Sequence, residues 1–131
     1  MLVKDLMQKE VVTIDCRATV RDALHKMSEQ KVKSLVVEKR HAHDAYGIVT
    51  YSTIVKTIIA EQGDIDLLNV YDIATKPVVT VGQDLAVNAV AQLMINMNIK
   101  RVVVIDNNEM LGLLTMHDLV TDIMSQLKTT G

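Results

Sequence analysis

The sequence predicts an α/β fold that consists of two tandem β-α-β-β-α motifs related by a pseudo-twofold axis. A shift of 67 residues aligns positions 3–37 with positions 70–104, and 11 of the 35 aligned residues are identical. Both copies alternate short β-branched runs with apolar residues at helical spacing. The 131 residues contain no Phe or Trp, so aliphatic side chains and Met must build the core that a chain of this length can bury.

Each copy is expected to open with a short helical turn, at 3–6 and again at 70–73. A short strand follows at 11–14 and at 78–81, because Val, Ile and Thr dominate both stretches. Pro77 stands just before the second of these strands, where its missing N–H costs little. The two copies therefore begin alike.

The first long helix of each copy has apolar residues at positions i, i+3, i+4 and i+7. These residues are Val20, Ala23, Leu24 and Met27 in the first copy and Val87, Val90, Ala91 and Met94 in the second. Thr19 and Asp22 predict a capping box in the first copy. Ala86 cannot cap the second helix with its side chain, so we expect Asp84 to replace it.

Two further strands and a final helix complete each copy. The strands are expected at 34–38 and 46–50 in the first copy, and at 101–106 and 110–115 in the second. The final helices carry an apolar stripe, which is formed by Ile54, Val55, Ile58 and Ile59 in the first copy and by Leu119, Val120, Ile123, Met124 and Leu127 in the second. These stripes are wider than a small two-layer core needs. Core packing is expected for most of their members, and part of the apolar surface is expected to contact a second molecule.

The repeat divides the chain into a first motif at 1–62, a linker at 63–69 and a second motif at 70–131. Two halves with similar apolar faces are expected to pack sheet against sheet. Such an arrangement creates two equivalent clefts, and each cleft is lined by parts of both copies.

Composition excludes several classes of function. The formal charge of −2 and the scarcity of aromatic residues argue against nucleic-acid binding. No run of 18 apolar residues exists that could cross a membrane. The single cysteine, Cys16, fits a reducing compartment, so we expect a cytoplasmic protein with a buried or inert thiol.

The most informative junction joins the last strand of the second copy to its final helix. Thr115 and Asp118 stand here, whereas the equivalent residues of the first copy are Thr50 and Thr53. A carboxylate can accept hydrogen bonds from both hydroxyls of a ribose, and a helix start also attracts phosphate. The same Thr-x-x-Asp spacing is a capping box. The two roles are compatible because a carboxylate has two oxygens, and the missing acid in the first copy favours a ligand role for Asp118.

Basic residues open the second strand of each copy. Lys33 and Lys100 occupy equivalent positions, and Arg101 is replaced by Ser34 in the first copy. These side chains are candidate phosphate neighbours or solvated strand ends. No metal site is predicted, since His41 and His43 lie in a polar turn without a ligand set.

The order of these motifs, present twice, resembles a tandem pair of CBS domains, which is also called a Bateman module. The resemblance covers Val3 to about Met124. It rests on Val-x-Asp-Leu-Met near the start, the Val-Val-Thr strand, the Thr-Val-x-x-Ala-Leu-x-x-Met helix, the Val-x-x-Leu-Val-Val strand, and Gly-h-h-Thr-x-x-Asp (h, apolar) at the last junction.

The resemblance implies where adenosine ligands bind. The first cleft would use Met7, Val12, Val32 and Lys33 from the first copy with Lys100, Arg101, Thr115 and Asp118 from the second. The second cleft would use Ala74, Val79, Ile99 and Lys100 with Lys33, Ser34, Thr50 and Thr53. Because Thr53 replaces the ribose-binding acid, the second cleft is expected to be the weaker one.

The resemblance also implies a regulatory role. We expect AMP, ADP or ATP as the ligand, with S-adenosylmethionine or NAD less favoured, and no required cofactor. Modules of this kind pair into disk-shaped homodimers, parallel or antiparallel, and signal to a protein partner that the sequence does not identify. No nucleophile arrangement for catalysis is evident, so the chain is not expected to be an enzyme. The alternative is a ligand-free interaction module.

Overall fold

The computed structural model describes the backbone of residues 1–130 and the side chains of residues 1–127. The chain forms two compact units, each with a mixed three-stranded sheet. We call Val11–Val78 the central unit, and Met1–Glu10 with the chain from Val79 onward the C-terminal unit. The mixed α/β architecture and the tandem arrangement of the motifs are confirmed.

The elements follow the predicted order closely. In chain order they are α1 (Val3–Leu6), β1 (Thr13–Ile14), α2 (Val20–Gln30), β2 (Ser34–Val37), β3 (Gly47–Thr50), α3 (Tyr51–Ile54) with a π-helical segment (Val55–Ala60), α4 (Val70–Ile73), β4 (Thr80–Gly82), α5 (Val87–Met97), β5 (Arg101–Asp106), β6 (Glu109–Thr115) and α6 (Met116–Thr130). The short helical turns have the predicted bounds, whereas β1 and β4 begin two residues later than expected.

The two sheets have the same topology. In the central unit β1 runs parallel to β2, and β2 runs antiparallel to β3. In the C-terminal unit β4 runs parallel to β5, and β5 runs antiparallel to β6. Asn107 and Asn108 both adopt the left-handed conformation in the β5–β6 turn, with φ of 50° and 62°. This conformation suits asparagine and explains the tight hairpin of the second copy.

Each unit has its own aliphatic core. In the central unit the buried side chains of α2 and the sheet pack together with those of α4, including Val20, Met27, Leu35 and Val70. In the C-terminal unit Val3 of α1 packs with α5 and the sheet, including Val90, Met94, Val102 and Leu114. The predicted inward face of α2 is therefore confirmed, with Leu24 half-buried. In α5, Val90 and Met94 are buried as predicted, whereas Val87 and Ala91 are only half-buried and Leu93 packs against the core.

The short segment ahead of each copy belongs to the unit that contains the sheet of the other copy. Gln8 pairs with Leu113 of β6 through two backbone hydrogen bonds of 2.8 and 2.9 Å. Thr75 pairs with Ile48 of β3 through two bonds of 2.9 Å. The compact units and the sequence repeat are thus divided at different residues, and the boundaries 1–62, 63–69 and 70–131 describe the repeat.

One of the two expected helix caps forms as predicted. Thr19 Oγ1 accepts from the Asp22 amide, and the Asp22 carboxylate accepts from the Thr19 amide, both at 3.1 Å. The prediction that Asp84 caps α5 is wrong, because its carboxylate instead lies 3.0 Å from Lys4 Nζ. The Val87 amide at the start of α5 donates to the carbonyl of Met1 at 3.0 Å.

The final helices of the two copies differ. In the first copy α3 continues as the π-helical segment, whose wider turns the sequence pattern did not indicate. Within the apolar stripes, Ile54 is buried, and Ile58 and Leu119 are half-buried. The remaining members are exposed, namely Val55, Ile59, Val120, Ile123, Met124 and Leu127. Among the described residues, no helix is both long enough and apolar enough to cross a membrane.

Gly112 in β6 permits the close approach of the N-terminal segment. A Cβ atom at this position would lie 2.6 Å from the Gln8 carbonyl oxygen and 2.9 Å from Met7 Sδ. Gly47, its equivalent in β3, would place a Cβ 3.1 Å from the Thr75 carbonyl oxygen. Glycine is therefore required at position 112 by space and not by an unusual φ.

We predict that Gly112→Ala lowers the free energy of unfolding by about 1–3 kcal/mol, because the added methyl group overpacks a backbone contact. Urea unfolding would measure the change. Gly82→Ala is the matched control, since a Cβ there meets nothing within 4 Å. Equal losses in the two variants would contradict the role assigned to the close approach.

Candidate functional site

Asp118 lies in the first turn of α6, directly after β6 ends at Thr115. Its Oδ2 atom accepts hydrogen bonds from the Thr115 amide and the Thr115 hydroxyl, both at 2.9 Å. The Asp118 amide donates to Thr115 Oγ1 at 3.1 Å. The capping role predicted from the spacing is therefore confirmed, and it holds one carboxylate oxygen in a fixed position.

The second oxygen of Asp118 is contacted by a residue that the sequence did not indicate. Gln8 Nε2 donates to Asp118 Oδ1 at 2.8 Å. The backbone pairing of Gln8 with Leu113 brings this amide to the start of α6. The available signal was indirect: Gln8 follows Met7 and occupies the position that Thr75 holds in the second copy.

The carboxylate of Asp118 retains limited capacity for further hydrogen bonds. An ionised carboxylate offers about four acceptor positions. Two are used by Thr115 and one by Gln8. A ribose that donates both of its hydroxyls to this carboxylate must therefore displace one of the present donors. The Gln8 amide is the exposed donor that takes no part in the cap.

The basic residues of the second copy lie at the same end of the sheet. Arg101 begins β5 directly opposite Thr115, and the carbonyl of Lys100 accepts from the Met116 amide at 2.9 Å. Arg101 is half-buried, and this burial lowers the pKa of its guanidinium from the ordinary value. No carboxylate among the described side chains pairs with Arg101. A half-buried cation without a counter-ion is a physical indication of an anion site.

The equivalent junction of the central unit has different chemistry. Thr50 Oγ1 accepts from the Thr53 amide at 3.4 Å, and the two hydroxyl oxygens lie 3.3 Å apart. Ser34 stands opposite Thr50 in the register, where the C-terminal unit has Arg101 opposite Thr115. Thr75 replaces Gln8. This junction therefore has hydroxyl groups but neither the acid nor the arginine.

The other predicted residues are divided between the two units. Within the C-terminal unit, Met7, Val79 and Ile99 are half-buried and pack against its core. Within the central unit, Val12, Val32 and Ala74 pack in the same way, and Lys33 is exposed just before β2. The structure thus brings Met7, Lys100, Arg101, Thr115 and Asp118 together in one unit. A shared role with Val12, Val32 and Lys33 stays a prediction.

A metal centre requires several ligand side chains close together. Among the side chains that the structure describes, no group of three or more His, Cys, Asp or Glu residues could hold a metal ion. His41 and His43 are exposed, and the His43 amide donates to His41 Nδ1 at 3.3 Å. Both histidines therefore belong to a local turn.

Comparison with known protein families assigns the repeat. A family model for the CBS domain matches the chain twice, at residues 3–60 and 70–125. The chain belongs to the CBS-domain family. These two matches cover both sheets and both junctions described above. We call Gln8, Arg101, Thr115 and Asp118 the Asp118 group; Gln8 lies in the first match and the other three residues lie in the second.

Known structures share the fold of this CBS pair. A hexameric CBS-CP12 protein from bloom-forming cyanobacteria has 39% sequence identity and a TM-score of 0.86, over 92% of this chain and 69% of that one. A CBS domain protein of Pyrobaculum aerophilum, solved in complex with AMP, has 26% identity and a TM-score of 0.81. That alignment covers 98% of this chain and 99% of the other.

A curated relative is longer than this chain. An uncharacterized protein of Methanopyrus kandleri is 28% identical over 119 residues, which is 90% of this chain. The chain spans 60% of the length of that relative. The similarity therefore concerns the CBS pair and not the whole of the longer protein.

Proposed function

We propose that this protein is a regulatory, non-catalytic CBS module that binds an adenosine nucleotide at the Asp118 group. The observation that carries the proposal is the asymmetry between equivalent junctions. In the C-terminal unit Gln8 contacts Asp118, and Arg101 lies opposite Thr115 at the same end of the sheet. The equivalent positions of the central unit are occupied by Thr75, Thr53 and Ser34. The cap itself does not require the acid, since α3 begins without one.

The chemistry of the group suits a nucleotide. The Asp118 carboxylate can accept from a ribose diol, and the start of the 15-residue helix α6 presents amides and a positive dipole end to a phosphate. Arg101 supplies a cation without a partner carboxylate among the described residues. The AMP complex of the P. aerophilum protein supports an adenosine ligand. Because Arg101 and the start of α6 suit a phosphate, AMP, ADP and ATP are favoured over S-adenosylmethionine, which has no phosphate.

We predict that AMP raises the thermal stability of the protein. At about 100 times its dissociation constant, a ligand of the folded state adds about 2.7 kcal/mol. Asp118→Ala should abolish this shift, and the matched variant Thr53→Ala should retain it. Because Asp118 also caps α6, each variant is compared with its own ligand-free melting temperature.

Two results of this experiment would contradict the proposal. Equal effects of Asp118→Ala and Thr53→Ala would show that the asymmetry does not mark the site. The absence of a shift with AMP, ADP, ATP, S-adenosylmethionine and NAD would favour the second candidate, a ligand-free interaction module. The exposed apolar members of the helix stripes are the observation in favour of that candidate.

Gln8 gives the site a competing internal donor. A ribose that donates both of its hydroxyls to Asp118 needs one more acceptor position than is open, and the exposed Gln8 amide is the donor that it would displace. This release would free the side chain of a residue that lies just before Val11, where the central unit begins. We propose that this exchange is how occupancy of the site is passed to the rest of the chain.

We predict that Gln8→Ala binds AMP about fivefold more tightly, since an exposed hydrogen bond to a charged group is worth about 1 kcal/mol. Isothermal titration calorimetry would measure the affinity. Thr75→Ala is the control at the equivalent position of the central unit, and it should leave the affinity unchanged. Weaker binding by Gln8→Ala would show instead that the amide contacts the nucleotide.

We further propose that the protein forms a homodimer through its final helices and acts on a protein partner. The two stripes expose apolar side chains that include Val55 and Ile59 in the central unit and Ile123 and Leu127 in the C-terminal unit, with exposed fractions of 52–67%. Exposed apolar surface of this kind is typical of contact sites. The same surface would serve the ligand-free alternative.

We predict that light scattering gives twice the chain mass for the unmodified protein, and that Ile59→Glu with Ile123→Glu gives a single chain. A charge at each position would have to be desolvated in the dimer, which disfavours association. Leu67→Glu, at a 79% exposed residue of the linker, is the control and should remain dimeric. A dimer that survives both stripe substitutions would place the interface elsewhere.

A further inference from the structure

A cavity lies in the central unit, away from the Thr50–Thr53 junction. Its volume is about 630 Å³, which falls within the range of small-molecule pockets. It is located where β2 ends at Val37 and β3 begins at Gly47, whereas Ser34 and Thr50 pair at the opposite end of the same strands. The cavity shares Ala74 with the second cleft that the family resemblance implies, whereas Ser34 and Thr50 of that cleft lie at the opposite end of the strands.

The floor of the cavity is apolar, and a backbone hydrogen bond joins two of its lining residues. Cys16 and Val37 are buried, and the small side chains of Ala45 and Ala74 leave the space open. The Tyr71 amide donates to the Cys16 carbonyl at 3.0 Å, which holds α4 at the side of the cavity. The phenol ring of Tyr71 and the ring of Pro77 complete the wall. Such walls suit a flat, largely apolar molecule.

The rim carries an excess of positive charge. Arg40 and Lys76 share one carboxylate, that of Asp44, at N–O distances of 3.1 and 2.8 Å. The Asp44 side chain is only 8% exposed. The hydrogen bond from Lys76 and those from Arg40 hold the pKa of Asp44 well below its usual range, so this carboxylate remains ionised. Two cations on one anion leave one positive charge without compensation.

The other charged groups near the cavity balance one another. Arg17 also lines the cavity and pairs with Asp15 at 3.1 Å, which lowers the pKa of Asp15 to about 2. Glu38 and Lys39 line a smaller neighbouring cavity together with Arg17 and Arg40. The negative charge of Glu38 balances the positive charge of Lys39. The net charge around the two cavities is therefore that of the group formed by Arg40, Asp44 and Lys76.

We propose that this cavity binds a small organic anion that has a flat ring and a single negative group, such as an aromatic carboxylate. The ring would occupy the apolar floor beside Tyr71, and the anionic group would face Arg40 and Lys76. An anion there accepts charge-assisted hydrogen bonds from donors that Asp44 alone does not saturate. The site uses none of the residues of the Asp118 group and does not depend on the function proposed for that group.

Benzoate is the probe for a titration of the unmodified 131-residue chain, followed by the NMR shifts of backbone amides. We expect saturable shifts at Cys16, Ala45 and Ala74, with no saturable shift at Gln8 or Asp118. Benzyl alcohol has the ring without the charge, and acetate has the charge without the ring. Both should bind at least tenfold more weakly than benzoate, because the site needs both parts of the ligand.

Two variants separate charge from space. Lys76→Met leaves Arg40 and Asp44 as a neutral pair and should weaken benzoate binding at least fivefold, whereas Lys56→Met makes the same change on the π-helical segment and should leave it unaltered. Ala45→Leu fills the cavity without changing its charge and should abolish binding. The proposal is overturned if benzoate shifts none of the three cavity amides, if benzyl alcohol binds equally well, or if the two lysine variants weaken binding alike.

Discussion

The backbone pairing of Gln8 with Leu113 is the contact on which the candidate site depends. It holds the N-terminal segment against β6, and it is possible because Gly112 has no side chain. The same pairing presents the Gln8 amide to Asp118. Thr75 and Ile48 repeat the pairing beside Gly47 in the central unit. Two equivalent frameworks are thus built by one kind of backbone contact, and they differ in the side chains that they present.

The functional difference between the frameworks is chemical and not architectural. In the second copy one carboxylate caps α6 through Thr115 and still turns an oxygen toward Gln8. In the first copy Thr53 takes its place, and α3 begins with a longer cap bond of 3.4 Å. A carboxylate that a cap already holds in place would reduce the entropic cost of binding a ligand at the proposed site.

The cavity proposed as a second site lies at the opposite end of the central sheet. There the loop between β2 and β3 supplies Asp44 and Arg40, and the segment after α4 supplies Lys76. This loop has no close counterpart in the second copy, where a tight turn at Asn107 and Asn108 joins the strands. Arg40 and Asp44 therefore come from a loop that is two residues longer in the first copy than in the second.

The sequence by itself determined the duplicated fold, the inward face of α2, the Thr19–Asp22 cap and the difference between Asp118 and Thr53. These features depend on residues a few positions apart, or on the comparison of two aligned copies, so a local pattern reveals them. Only the tertiary structure decided the contact of Gln8 with Asp118, because these residues are 110 positions apart and meet through strand pairing. It likewise decided the π-helical segment and the pairing of Asp84 with Lys4 in place of a cap. Both depend on contacts that a local sequence pattern does not contain.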